Sequence, residues 1–185
     1  MTTKDSHVIL EQHDLNKTND DHKSYKSLVL INEMKVMLIN DLNLSNYWNT
    51  TTYFVLDVHV GNYSDPDDFT GLAQLCQEML ILGSQKYPQY KEFDCFIHNH
   101  NGNIYIETFP DHSIYCWNIE TENTVVFEEA LNRFVHFFVT PLFKKSWIRE
   151  TIHKINTNAK DNNILQDDII DFFQNFEKYL LKPNR

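Results

Sequence analysis

Glycine and proline are scarce in this chain, four and five of 185 residues. No two glycines stand in G-x-G spacing, which excludes a glycine-rich phosphate loop and the nucleotide sites built on one. Cysteine is scarce as well. Cys76, Cys95 and Cys116 are odd in number and form no C-x-x-C, so neither a disulfide framework nor a cysteine zinc site is expected. Basic residues are outnumbered, 16 Lys and Arg against 26 Asp and Glu, for a formal net charge of −10. Nucleic acid wants a basic stripe and an anionic membrane a basic patch, so neither is an expected partner. A solvated acidic surface is the plain reading of that charge. No run reaches the about 18 apolar residues that span a bilayer. Met1 to His7 is not followed by a long apolar stretch, so no signal peptide and a reducing, cytoplasmic setting are expected. No G-x-S-x-G or Cys–His protease signature occurs.

What the chain does have is apolar patterning. Aromatic residues make up 14%, thirteen of them Phe, which favours packing over disorder. A chain of this length can bury roughly 70% of its unfolded surface. Residues Glu11 to Ser24 are polar, and 1–24 reads as a lead-in. Ser27 to Ile31 and Lys35 to Ile39 read as strands joined by a hairpin, and Thr51 to Val60 as a third strand. Tyr90 to His98 reads as a short helix, and Ile104–Thr108 with Ser113–Ile119 as a strand pair. Val126 to Phe138, Ser146 to Asn158 and Asp167 to Leu181 read as further helices. The order implies an α+β domain over 25–185, a mixed or antiparallel sheet with helices on one face.

The most informative stretch is Gly71 to Gly83. Leu72, Leu75, Cys76, Met79 and Leu80 recur at i, i+3, i+4, i+7 and i+8, the apolar stripe of a buried helix. Gln74, Gln77 and Glu78 fall at i, i+3 and i+4 and gather three polar side chains on a second face. Their spacing is that of H-x-x-E-H, in which two His hold zinc and the Glu activates water. All three positions carry another residue.

Further segments extend the likeness. Leu56-Asp57-Val58-His59-Val60-Gly61, Ser64-Asp65-Pro66, Lys86-Tyr87-Pro88, Glu129-Ala130-Leu131-Asn132-Arg133-Phe134, Phe137-Phe138, Pro141-Leu142-Phe143 and Arg149-Glu150 follow in order. From about Val8 to Glu150 the series resembles the pitrilysin family, in its insulin-degrading enzyme and nardilysin branch. The resemblance implies a pitrilysin-like N-terminal domain, here truncated, and a zinc metallopeptidase chemistry. It puts the metal ligands at Gln74, Glu78 and Thr157, the base at Gln77 and a helper carboxylate at Glu150. It puts a strand that pairs with substrate backbone at Tyr105, Ile106, Glu107 and Thr108. An amide at Gln77 cannot take a proton at neutral pH, and amide and hydroxyl oxygens are poor zinc ligands beside imidazole. No bound cofactor is therefore expected. The function expected is that of a pseudopeptidase that binds a polypeptide or a partner subunit, as a homo- or hetero-oligomer. The alternatives are a metalloendopeptidase with residual or shared-site activity, and a truncated gene product.

Other sites are weaker. His98-Asn99-His100 with His112 nearby is a metal candidate, but the pair sits at a helix end. His59 reads as a packed, hydrogen-bonded strand residue. Asp65, Asp67 and Asp68 lack the full calcium-loop spacing and read as a solvated turn.

Overall fold

The computed structural model describes residues 8–13, 18, 20–41, 51–67, 69–120 and 123–158. The helix expected over Asp167 to Leu181 lies outside them. The chain divides into two compact units, Met1–Thr50 and Thr51–Arg185.

In the first unit, β1 (Val8–His13), β2 (Lys23–Leu30) and β3 (Lys35–Asp41) form an antiparallel sheet in that order. The β2–β3 hairpin turns at Ile31 to Met34, where Glu33 takes a left-handed φ of 65°. Leu30 and Met34 close the turn by an N–H to carbonyl bond of 2.9 Å. β1 lies inside the stretch read as a polar lead-in. An outer strand is held by its backbone ladder, so Glu11, Gln12 and His13 need no apolar alternation to join it.

The second unit holds β4 (Thr51–Val58), β5 (Asn103–Thr108) and β6 (Ser113–Glu120) in the order β4-β6-β5, antiparallel throughout. Among the described residues four α-helices accompany them: α1 (Leu72–Leu80), α2 (Glu92–Asn99), α3 (Thr124–Val139) and α4 (Lys145–Asn158). β6 alternates strictly. Ser113, Tyr115, Trp117 and Ile119 are buried, and the residues between them are only half-buried. Tyr115, Trp117 and Ile119 meet Phe93 and Ile97 of α2 and Ala130, Phe134 and Phe137 of α3. Phe54 of β4 stacks on Trp117 at 5.0 Å between ring centroids. A second core joins Leu75 and Met79 of α1 to Trp147, Ile148, Ile152 and Ile155 of α4. The helices thus cover one face of this sheet, while Tyr53, Val55 and Tyr105 of its strands are exposed. No helix among the described residues is long and apolar enough to cross a membrane.

α1 starts at Gly71, whose φ of 89° suits a residue without Cβ. The Asp65 carboxylate accepts hydrogen bonds from the N–H of Gly71 and of Ala73, both at 2.7 Å. An anion here satisfies orphan helix donors and meets the positive end of the helix dipole. Asp65 is therefore a cap for the motif helix rather than part of a solvated turn.

Candidate functional site

The three polar residues of α1 do not share one environment. Gln77 is buried, at 2% exposure, and its side chain reaches the sheet. Its Nε2 donates to the carbonyl of Glu107 at 3.0 Å and to that of Ile114 at 2.8 Å. Its Oε1 accepts from the Thr108 hydroxyl. Glu107 and Ile114 are register partners across β5 and β6. One amide thus fastens α1 to both strands near the end of their hairpin, with both of its donor hydrogens and its oxygen in use.

Gln74 is exposed and Glu78 half-buried. Gln74 Nε2 donates to Glu78 Oε1 at 3.4 Å, one helical turn on. Glu78 Oε2 accepts from Lys154 Nζ of α4 at 2.8 Å. Lys154 is a site residue that the sequence reading missed. Its signal was present, because Glu150, Lys154 and Thr157 fall at i, i+4 and i+7 on one helical face. The Thr157 hydroxyl donates to the Lys154 carbonyl at 2.8 Å. Glu150 accepts from the Tyr90 hydroxyl at 2.9 Å. Burial, helped by that bond and by the Glu150 charge, pushes the Tyr90 phenol up to about 12.

On β5, Tyr105 and Glu107 are exposed and their side chains bond each other. Ile106 turns to the core. β5 lies at one end of the strand order, with α1 packed against it.

The histidines are scattered. His98 is exposed and stands 3.8 Å from Asp94, whereas His100 bonds the Phe96 carbonyl at 2.8 Å. His112 stacks on Phe109 and bonds Asp111 at 2.7 Å. That bond, with the histidine charges nearby, holds the Asp111 carboxyl below its ordinary range. His59 is exposed rather than packed, because it continues the outward-facing register of Tyr53, Val55 and Asp57 on β4. With Asp57, Asp111 and His112 it lines a cavity of about 260 Å³. Among the described residues no three His, Cys, Asp or Glu side chains converge to hold a metal ion. Cys76 packs at the margin of the α1–α4 core, and burial, with a smaller push from Asp65, raises its thiol to about 11.

This arrangement, a helix carrying the spaced polar triplet against an antiparallel sheet, defines an α+β layout with known counterparts. The structure of pitrilysin superposes with a TM-score of 0.69 at 24% identity, over 80% of this chain and 15% of that one. The sequence pattern of the insulinase family (peptidase family M16) matches residues 43–176. The human insulin-degrading enzyme is 33% identical over 153 residues, 83% of this chain and 14% of that protein. The A-factor-processing enzyme of Saccharomyces cerevisiae is 31% identical over 161 residues, 87% of this chain and 15% of that protein. The chain belongs to the insulinase family. It spans about a seventh of the length of the curated relatives it matches.

Proposed function

We propose that this chain is a non-catalytic insulinase-family domain that binds a polypeptide or a partner subunit. The observation that carries the reading is the state of Gln77. At the position the family resemblance gives to the water-activating Glu stands a neutral amide, buried, with its donors on the carbonyls of Glu107 and Ile114 and its oxygen on Thr108. It holds no proton-accepting charge, and it faces the sheet backbone. A general base typically contributes about 10²–10⁴ in rate, and here that contribution is gone.

Zinc, which the resemblance implies, does not fit the donors present. A catalytic zinc takes three protein donors and a water. Gln74 and Thr157 offer neutral oxygens, and the one carboxylate, Glu78, is bound by Lys154. Glu150 is bound by Tyr90. Polypeptide binding is supported by β5, which has a strand partner on one side in the strand order. Backbone pairing along Tyr105 to Thr108 needs no particular side chains. Three free cysteines suit a cytoplasmic setting.

The test is elemental analysis of the purified protein together with a fluorogenic-peptide assay and a binding titration of the same peptide. The expected result is no stoichiometric zinc, no cleavage, and saturable binding. One zinc per chain with chelator-sensitive cleavage overturns the reading.

A further inference from the structure

We infer that Lys154 is a tethered cation that stands in for a metal ion on the α1–α4 face and keeps divalent cations off Glu78. This deepens the non-catalytic reading and rests on its placing of Gln74 and Glu78 at the metal positions. Both oxygens of Glu78 are engaged, Oε1 by Gln74 at 3.4 Å and Oε2 by the Lys154 ammonium at 2.8 Å. The carboxylate side chain is 17% exposed, so its charge is largely withdrawn from water. A half-buried carboxylate next to neutral Gln74 and Gln77 wants a counter-charge, and α4 supplies it from within the chain.

The position of Lys154 makes the arrangement local. It lies one turn from both Glu150 and Thr157 on α4, whose Ile148, Ile152 and Ile155 are packed against α1 in the second core. The packing of α4 on α1 thus fixes the backbone from which Lys154 reaches Glu78, and the ammonium is held there by its own bond to Glu78 Oε2. Its side chain is 64% exposed, which leaves the bond replaceable by a stronger cation once better ligands are added. A zinc ion bound at Glu78 would displace the ammonium and then sit beside it, and the repulsion of two cations weakens that binding.

The test is calorimetric titration of the full chain with zinc alone. The proteins compared are the parent, Gln74→His, Gln74→His with Lys154→Met, and Gln74→His with Lys154→Arg. On one helix an imidazole and a carboxylate at i and i+4 can reach a common ion. Lys154→Met in the Gln74→His background is expected to tighten zinc binding at least tenfold, while Lys154→Arg leaves it within about twofold of Gln74→His alone. Thermal melts establish that each protein is folded, and Lys154→Gln replaces Lys154→Met if that variant does not melt cooperatively. Zinc affinities that are the same with and without the Lys154 charge overturn the proposal. So does an absence of zinc binding by the neutral Lys154 variants, because the face then cannot host a cation at all. The peptide-cleavage assay decides the non-catalytic reading, and the zinc comparison decides this one.

Discussion

Replacing Gln77 by Glu should destabilise the protein, and the loss should depend on pH. Gln77→Glu is nearly isosteric, so the cost is electrostatic. A carboxylate there would face two carbonyl oxygens, at the 3.0 and 2.8 Å now spanned by N–H donors. It would do so at a site 2% exposed to solvent. The group escapes by staying protonated, which lets it donate one bond and accept from Thr108. One bond is still lost, about 1 kcal/mol. Holding the proton at pH 7 against an unfolded value of about 4.3 costs roughly 1.4 kcal/mol per unit, about 3–4 kcal/mol in all. The sign follows from linkage. The folded pKa is raised above the unfolded one, so the variant's relative stability is fully present below about pH 4.3 and is lost as pH rises toward the folded pKa. Between pH 6 and 7.5 the gap to the parent should widen by about 2 kcal/mol. Urea unfolding of parent, Gln77→Glu and Gln77→Met at these two pH values reads it directly. Gln77→Met, which carries no titrating group, should show a gap that does not move with pH. A Gln77→Glu gap that is constant, or parent-like stability at pH 7.5, refutes the clamp described for Gln77.

Three more outcomes are expected. Asp65→Ala should remove the cap from α1 and lower stability by about 1–2 kcal/mol, with faster amide exchange at Gly71 and Ala73; an unchanged melt contradicts the capping role. At pH 8 Cys76, with its thiol near 11, is about 0.1% thiolate. Alkylation of the native protein should therefore mark exposed Cys95 first, and reach Cys76 only after unfolding. Sedimentation at micromolar concentration should show a dimer or larger complex, since Tyr53, Val55 and Tyr105 are more than half exposed on one sheet. A clean monomer that binds no hydrophobic dye removes the need for a partner.

Much of the layout was legible in the chain, for physical reasons that differ by element. α1 and α3 announce themselves through apolar spacing, and β6 through strict alternation in Ser113 to Glu120. β1 was hidden because a terminal strand is held by backbone groups, which carry no residue identity. The same reason hid the partners of Gln77. The H-x-x-E-H spacing of Gln74, Gln77 and Glu78 could be read directly, but the acceptors that bind Gln77 are two main-chain carbonyls. Asp65 was misjudged because capping depends on where the turn returns the chain, six and eight residues later. Lys154 lay on a legible face of α4, and its acceptor lies on a helix 76 residues earlier.

The strand order β4-β6-β5 also governs how the chain is made. Thr51 pairs with Glu120 and Val58 with Ser113, so the central strand of this sheet is the last of the three to be synthesised. On a ribosome adding about 5–20 residues per second, β4 waits roughly 3–14 s for its partner. In that interval Tyr53 to Val58 is an unpaired, apolar strand while the α1 and α2 segments emerge behind it. The β5–β6 hairpin can close on its own as soon as Glu120 is out, since its strands are neighbours in sequence. Capture of β4 then completes the sheet across a long loop, the slow step for a topology of this kind. A nascent chain stalled before residue 113 should thus be held by chaperones, and one stalled well past 120 should let go.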